Sequence, residues 1–209
     1  CNQVLAKERI NTLIREGESL WLGTVNGLCR LTIPAFVDAG QAWQGLELQE
    51  FAGHNVFNLS LDQLKQIWVG TTNQGAAVVQ PGSLTVTVIP YDAEDPDKLN
   101  APWIDEVIQI GDEVWLATAG AGVAVIDAQT LQVKRHIKRQ EGIPNTLTLN
   151  DISAFLQDDS GLIWIGTWGG GLNRFNPANK AFRTLRPNHL KTNTITHPDV
   201  RAIKELDNG

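Results

Sequence analysis

A short segment built around tryptophan recurs four times along the chain: Leu-Trp-Leu-Gly-Thr at 20–24, Ile-Trp-Val-Gly-Thr at 67–71, Val-Trp-Leu-Ala-Thr at 114–118 and Ile-Trp-Ile-Gly-Thr at 163–167. The four tryptophans are 47, 47 and 49 residues apart. Each is followed six or seven positions later by a glycine, and an apolar residue opens another short run eleven or twelve positions before it. Such coinciding offsets in four copies indicate a repeat protein, whose fold is set by the repeated unit.

The repeated unit is predicted to consist of four β-strands. Around each tryptophan the residues run in short bursts bounded by Gly, Asp, Asn or Pro, which is the pattern of strands and turns. The upstream runs, such as Ile152, Phe155 and Leu156, have a spacing that a helix would also show. They are too short for a stable helix, and Val and Ile favour strands. A third strand follows the glycine, and a more polar fourth strand completes the unit.

Four antiparallel strands with this repeat length are typical of a β-propeller blade. The sequence therefore predicts an all-β fold, a single β-propeller domain over residues 1–209 with four full blades and the opening strand of a fifth. The predicted blades are residues 9–55, 56–102, 103–148 and 149–198, and residues 199–209 begin the next one. Each tryptophan is expected to fill the wedge beside the adjoining blade. The small residue two positions later, Ala117 in the third copy, would let the neighbouring sheet approach closely.

The fourth unit resembles the two-component regulator propeller repeat over residues 159–175, Asp-Ser-Gly-Leu-Ile-Trp-Ile-Gly-Thr-Trp-Gly-Gly-Gly-Leu-Asn-Arg-Phe. That family's pattern is an acidic residue and Gly, then Leu or Ile, Trp, Ile, Gly, Thr, a Gly-Gly turn and Leu-Asn-Arg-Phe. The resemblance is clear at 67–71, although no glycine precedes Trp68. It is looser in the first and third units, where the turn at Asn26-Gly27 is one residue shorter and Ala117 replaces a glycine.

The resemblance implies a fragment of a larger ring, because members of the family carry many more repeats. An incomplete ring leaves sheet edges that can pair with another molecule. We therefore expect an open arc of blades, or a ring closed through a partner, with homo-oligomers through the open edges as one possibility. The resemblance also implies the extracytoplasmic part of a bacterial receptor, followed by an immunoglobulin-like domain, a membrane helix and a histidine-kinase or diguanylate-cyclase output.

Composition argues against several classes of protein. Seventeen Lys and Arg against 23 Asp and Glu give a net charge of −6, which disfavours a nucleic-acid-binding protein. No apolar run approaches the ~20 residues of a membrane-spanning helix. The chain has no Met, which indicates that it is processed or cut from a longer one. Its two cysteines, Cys1 and Cys29, are too few for a disulfide framework. Cys1 is compatible with a lipoprotein cysteine or with the boundary of a fragment.

Motifs of catalytic and metal sites are missing from the sequence. It has no Gly-x-Ser-x-Gly elbow, no P-loop and no His-Glu-x-x-His, so neither a cofactor nor a metal is predicted. The acidic stretch 91–97 lacks the glycine and closing glutamate of an EF-hand loop and is predicted to be a solvated turn. The basic run 133–139 is predicted to be an outer edge strand protected by charge. A patch for an anionic partner is the alternative.

Ligand binding is expected at the loops around the mouth of the propeller's channel. Because strand direction alternates, the loops between second and third strands lie on the same face as the segments between units. Aromatic faces beside amides and hydroxyls suit sugars. The candidate ligand-binding residues are Trp168, Trp103, Asn73, Asn150 and His197. Trp168 leads because it is additional to the repeated tryptophan, and packing over the rim is its alternative role.

The sequence favours a non-enzymatic sensor module in which binding shifts the population of receptor arrangements. The module is expected to sense a ligand or a partner: an unidentified small ligand, with oligosaccharides suggested by the resemblance, and other receptor domains or a second propeller as protein partners. Its expected location is periplasmic or otherwise extracytoplasmic, with the membrane tether outside this sequence. One alternative is a propeller lyase, such as those that act on streptogramin antibiotics, which would need a general base such as His197. The other is a protein-interaction scaffold.

Overall fold

The computed structural model describes residues 8–32, 44–188 and 194–206. In this part of the chain all regular structure is β-strand except one turn of 3-10 helix, Gln49–Phe51. Sixteen strands form four antiparallel sheets of four strands, and the strands of each sheet pair in chain order. The predicted fold class, an all-β protein built from propeller blades, is confirmed. The upstream runs with helix-like spacing are strands.

The first compact unit comprises residues 1–91 and 102–104 and holds two of the sheets. Its first sheet consists of β1 (Ile10–Glu16), β2 (Ser19–Thr24), β3 (Gly27–Thr32) and β4 (Gln44–Leu48). Its second sheet consists of β5 (Val56–Leu61), β6 (Ile67–Thr71), β7 (Ala76–Val79) and β8 (Val86–Ile89).

The second compact unit comprises residues 92–101 and 105–209 and holds the other two sheets, apart from Ile104, the first residue of β9. The third sheet consists of β9 (Ile104–Ile110), β10 (Glu113–Thr118), β11 (Gly122–Asp127) and β12 (Val133–Ile137). The fourth sheet consists of β13 (Ile152–Gln157), β14 (Ile163–Thr167), β15 (Gly171–Asn176) and β16 (Ala181–Leu185). Each sheet falls within one predicted blade range, while a single domain over 1–209 stays a prediction.

In the first unit the repeated tryptophan packs between the two sheets, as predicted. Trp21 of β2 is fully buried in one core with Leu59 and Val69 of the following sheet. The glycine two positions later permits this close approach, because a Cβ at Gly23 would stand 2.6 Å from a methyl group of Val56. Sheet stacking here thus depends on one large and one minimal residue on the same strand.

The second unit repeats this arrangement with an aromatic cluster. Trp115 of β10 is buried and lies edge-on to Phe155 of β13, with ring centroids 6.3 Å apart. It also packs on Phe175 of β15, whose ring centroid is 5.4 Å away, and Phe175 in turn contacts Phe182 at 4.7 Å. Ala117 is completely buried in the same core, as expected for a position that faces the neighbouring sheet.

Three of the four repeated indoles donate their N–H to a carboxylate. The acceptors are Asp62 for Trp68 at 3.1 Å, Glu113 for Trp115 at 3.2 Å and Asp158 for Trp164 at 2.6 Å. Trp21 has no such partner among the described residues, and its buried N–H is unsatisfied there. Asp158 also accepts hydrogen bonds within its own hairpin turn, and the Ser160 hydroxyl is the main cause of the lowered pKa of its carboxyl. The turn aspartate therefore supports the tryptophan that follows it.

Residues 199–206 do not form the predicted opening strand, because in the described part of the chain no strand lies beside them for pairing. Val200 nevertheless packs against Gly166 as Val56 packs against Gly23, and its N–H donates to the Thr167 carbonyl at 3.1 Å. Residues 207–209 lie outside the described residues, so the fifth blade stays a prediction.

One of the two cysteines lies among the described residues. Cys29 of β3 is buried and is bonded in a disulfide, while Cys1 lies outside the described residues. The described part of the chain contains no helix with the length and hydrophobicity that a membrane crossing requires.

Candidate functional site

The hairpins between second and third strands are tied to the segments that lead into the following sheets. In three copies the repeated glycine donates its N–H to a carbonyl of that segment: Gly75 to Pro102 at 2.7 Å, Gly122 to Asn150 at 2.8 Å and Gly171 to Pro198 at 2.7 Å. These glycines have positive φ, and a Cβ at Gly171 would overlap the Leu185 carbonyl oxygen. Within each unit, the two kinds of loop that were predicted to share one face are therefore in direct contact.

In the first unit this end of the sheets carries Asn73 and Trp103. Asn73 is exposed in the hairpin between β6 and β7. Trp103 is 41% exposed and stands edge-on to Phe57 of β5, with ring centroids 5.9 Å apart and an interplanar angle of 70°. The two rings form an exposed aromatic pair beside a polar hairpin, which is the combination that suits a sugar face.

In the second unit the leading candidate, Trp168, is exposed on a fixed hairpin. Its side chain is 41% exposed, and its backbone N–H donates to the Asp151 carbonyl at 3.0 Å. The guanidinium of Arg201 lies 5.4 Å from the indole centroid, within the range of a cation–π contact. No sequence pattern pointed to Arg201, because it lies 33 positions beyond Trp168 in an irregular segment.

His197 and Asn150 make local contacts near Trp168. His197 is exposed, and its Nδ1 accepts the Asp199 N–H at 3.1 Å and lies 3.7 Å from the Asp199 carboxylate. The Asn150 Oδ1 accepts the Arg139 N–H at 2.7 Å. The Asp151 carbonyl accepts the Trp168 N–H, and the Pro198 carbonyl accepts the N–H of Gly171, the first residue of β15. Asn150 and His197 are their chain neighbours and therefore share one loop cluster with Trp168. The cluster thus contains three of the five candidates; the other two lie in the first unit.

A buried amide anchors the segment that carries Asn150. Asn173 of β15 is fully buried, and its Oδ1 accepts the Thr148 N–H at 3.1 Å. Its Nδ2 donates to the Thr148 hydroxyl at 3.0 Å and to the Ile165 carbonyl at 3.4 Å. Asn173 belongs to the Leu-Asn-Arg-Phe run of the fourth unit, and the sequence did not distinguish it as a residue that positions the loop.

The basic strand β12 is an edge strand of its sheet, as predicted. Arg135 makes a bidentate contact with the Glu113 carboxylate, at 2.5 and 2.8 Å, and Lys134 lies 3.1 Å from the same group. The Arg135 bond is the main cause that lowers the pKa of Glu113 to about 2. His136 faces the Lys98 carbonyl with its Nε2 at 3.1 Å, and burial lowers its pKa. Half of this basic run is therefore neutralised internally, which supports the edge-strand interpretation.

Glu106 is a carboxylate held between two sheets of the second unit. It lies on β9, and its Oε2 accepts the Phe155 N–H of β13 at 2.9 Å. Burial raises the pKa of Glu106 to about 7, and this hydrogen bond only partly offsets the effect. The group is therefore poised to change its charge near neutral pH.

A cavity of about 540 Å³ lies at the opposite end of the second unit, where β9 joins β10 and β15 joins β16. Trp115, Phe175 and Phe182 form apolar walls, and Arg135 and Lys180 lie at its rim. None of the five candidate residues lines it. Sequence reasoning missed this cleft because its walls are the same residues that were assigned to the core.

The acidic and histidine side chains do not cluster as metal ligands in the part of the chain that the structure describes. In residues 8–32, 44–188 and 194–206, no three His, Cys, Asp or Glu side chains are grouped as metal ligands would be. In the acidic stretch 91–97, the Lys98 ammonium lies 3.4 Å from Asp92 and 3.1 Å from Asp95. The acidic side chains of this predicted solvated turn are therefore paired with a lysine of the same turn.

Comparison with known proteins supports the resemblance found from the residues. Residues 146–169, which include the repeated tryptophan segment of the fourth unit, match the family described as two component regulator propeller. The chain has no significant match among curated proteins.

Solved structures share the fold of this chain. The extracellular domain assigned to the hybrid two-component system BT3049 of B. thetaiotaomicron is 20% identical, with a TM-score of 0.66 over 87% of this chain and 23% of that one. The corresponding domain of BT4673 from the same organism is 17% identical, with a TM-score of 0.68 over 85% and 25%. PorZ, a surface component of the type-IX secretion system of Porphyromonas gingivalis, is 13% identical, with a TM-score of 0.58 over 86% and 23%. This chain spans about a quarter of each, and at these identities the likeness shows the fold alone.

Proposed function

We propose that this chain is part of the ligand-sensing propeller of a bacterial signal-transduction receptor, and that it binds through the loops joining second to third strands and those between sheets. The observation that carries the proposal is Trp168. It lies within the segment that matches the regulator-propeller family, it is exposed, and its hairpin is hydrogen-bonded to the Asp151 carbonyl. An exposed aromatic ring on a fixed loop is better suited to binding than to packing.

Small neutral oligosaccharides are the ligand class we assign to this site. The Trp168 indole offers a flat apolar face for sugar C–H groups, and Asn150 and His197 provide polar atoms in the same loop cluster. In the first unit, the Phe57–Trp103 pair beside Asn73 offers a similar combination. Other receptor domains or a second propeller would read out the bound state by a shift between receptor arrangements.

An extracytoplasmic location is part of the proposal. It is supported by the extracellular domains that share the fold and by the disulfide at Cys29, since such bonds persist in oxidising compartments. The receptor would supply its membrane tether and its output domain outside this sequence.

Catalysis is not part of the proposed function. The lyase alternative needs a general base that converges with a carboxylate, and the pair with that character is His197 with Asp199. Since the Nδ1 of this exposed histidine already accepts a backbone N–H two residues away, the contact is that of a local turn. Turnover of an antibiotic lactone that is lost in His197→Ala would favour the lyase over the sensor.

Binding at Trp168 is tested by titrating the protein with maltotriose and xylotriose while the indole N–H signals are followed by NMR. We expect the Trp168 signal to shift in a saturable manner, and Trp168→Ala to weaken binding about tenfold or more. Leu206→Ala, which removes another exposed apolar side chain of the same unit, is the matched control.

The receptor assignment has a separate test in the genomic reading frame that encodes residues 1–209. We expect further propeller repeats followed by a membrane helix and a kinase or cyclase domain. A reading frame that encodes none of these would overturn the assignment, and an unchanged Trp168 signal with both sugars would overturn the ligand class.

A further inference from the structure

A second, strongly polar cavity lies at the loop end of the second unit. Its volume is about 330 Å³, and this open cleft is lined by the segment between β12 and β13 and by the end of β16. We call this cavity the arginine pocket. Its polar and charged side chains are Arg139, Gln140, Asn145, Thr146, Thr184 and Arg186. It contains none of the five candidate residues.

The charge of the arginine pocket is not balanced. Arg139 and Arg186 both line it, and no carboxylate does. Among the described residues, neither guanidinium forms an ion pair or a side-chain hydrogen bond. Other arginines of the chain are engaged: Arg135 with Glu113, and Arg30, Arg174 and Arg201 over indole rings. Two like charges that share a cavity repel each other, and an anion between them would relieve that repulsion.

The backbone around the pocket is held in place before any ligand arrives. The Arg139 N–H donates to the Asn150 side chain at 2.7 Å, and the Gln140 N–H donates to the Thr146 hydroxyl at 3.3 Å. Asn145 adopts a left-handed conformation with φ of 61°. Asparagine adopts this conformation more readily than other residues except glycine, so the turn that lines the pocket is preformed.

The chemistry of the walls defines the ligand class. A guanidinium presents a planar fork of N–H donors that matches an oxyanion, and two of them suit two negative charges. The hydroxyls of Thr146 and Thr184 and the amide of Asn145 add further donors, while apolar surface is scarce. We propose that the arginine pocket binds a small, doubly charged oxyanion, either a phosphate-type group or a dicarboxylate. This site goes beyond the neutral sugar site proposed at Trp168, and either can exist without the other.

The proposal is tested by NMR titration of the folded chain with inorganic phosphate, with succinate and with neutral succinamide. We expect one or both anions to shift the Gly142 and Thr146 amide signals and the side-chain Nε–H signals of Arg139 and Arg186. The shifts should saturate with a dissociation constant on the order of 1 mM, and succinamide should cause none. Phosphate alone would assign a compact tetrahedral oxyanion, and succinate alone would assign a dicarboxylate.

Matched variants separate the pocket from general ionic effects. Arg139→Gln and Arg186→Gln should each weaken binding about tenfold. Arg183→Gln removes the same charge from an exposed position of β16 that does not line the pocket, and it should change binding less than about twofold. Arg139→Lys keeps the charge and should still weaken binding, because the planar fork is lost. Unsaturable shifts, shifts that survive in the doubly substituted protein, or equal losses in all variants would overturn the proposal.

Discussion

Replacing Asn173 by alanine should destabilise the protein and loosen the segment that carries Asn150. The buried amide makes three hydrogen bonds, with the Thr148 N–H, the Thr148 hydroxyl and the Ile165 carbonyl. Each is worth about 1 kcal/mol, and the Thr148 N–H would be left buried without a partner. We therefore expect Asn173→Ala to lower the free energy of unfolding by about 3 kcal/mol. For a domain of this size, that corresponds to a fall in Tm of about 6–12 °C.

Urea unfolding followed by tryptophan fluorescence measures this change, because Trp21, Trp68 and Trp115 are buried in the folded state. Asn179→Ala is the matched control: its side chain accepts the Ala181 N–H in an exposed turn, so its loss should cost less than about 1 kcal/mol. Thr148→Val should share most of its effect with Asn173→Ala, since the two residues contact each other and their effects would not add. If Asn173→Ala unfolds within about 0.5 kcal/mol of the unchanged protein, the assignment of Asn173 as the anchor of this loop is wrong.

Two carboxylates should give opposite pH dependences of stability. In the folded state the pKa of Glu113 falls from 4.5 to about 2, so the stability that Glu113 contributes is present above about pH 4.5 and is lost as the pH falls towards 2. Glu113→Gln should lower the free energy of unfolding by about 1–2 kcal/mol at pH 7. This figure is smaller than the full pKa shift implies, because Arg135 is 43% exposed and solvent screens the ion pair. Urea midpoints between pH 2 and 7 test this, with Asp112→Asn as an exposed control, and an unchanged acid slope in Glu113→Gln would contradict it. Because burial raises the pKa of Glu106 to about 7, its contribution is favourable below about pH 4.5 and is lost as the pH rises through 7. Glu106→Gln should therefore be more stable than the unchanged protein by about 1–2 kcal/mol at pH 8 and similar to it at pH 5, and equal stabilities at pH 8 would refute the role of burial.

The architecture was predictable from the sequence, because residues that repeat at a constant spacing occupy the same packing position in every sheet. Trp21 and Trp115 had to lie between sheets, since only an interior position accounts for indoles at constant spacing. Gly23 and Ala117 had to face a neighbour for the same reason. The basic strand β12 could be assigned to an edge because a central strand would not carry so many charges.

The site was less predictable, because its contacts join residues that are distant in sequence and carry no pattern. Arg201 meets Trp168 across 33 positions, and Asn173 meets Thr148 across 25. The arginine pocket depends on Arg139 and Arg186, which occupy unrelated sequence contexts. The absence of a strand at 199–206 has another cause. A β-strand needs a second segment to pair with, and the similarity of residues 199–206 to earlier first strands concerns only one of the two segments.

The hydrogen bonds from Gly75, Gly122 and Gly171 all run in the same sense along the chain. In each, the donor lies in a hairpin and the acceptor in the segment that follows the same sheet. The Trp168 hairpin is also bonded to the Asp151 carbonyl, so its movement would pull both on residues that precede it and on Pro198, which follows it. A displacement that starts at the Trp168 hairpin would thus be passed back to Asp151 and also forward to Pro198, towards the C-terminal side on which a receptor of the proposed kind carries its output.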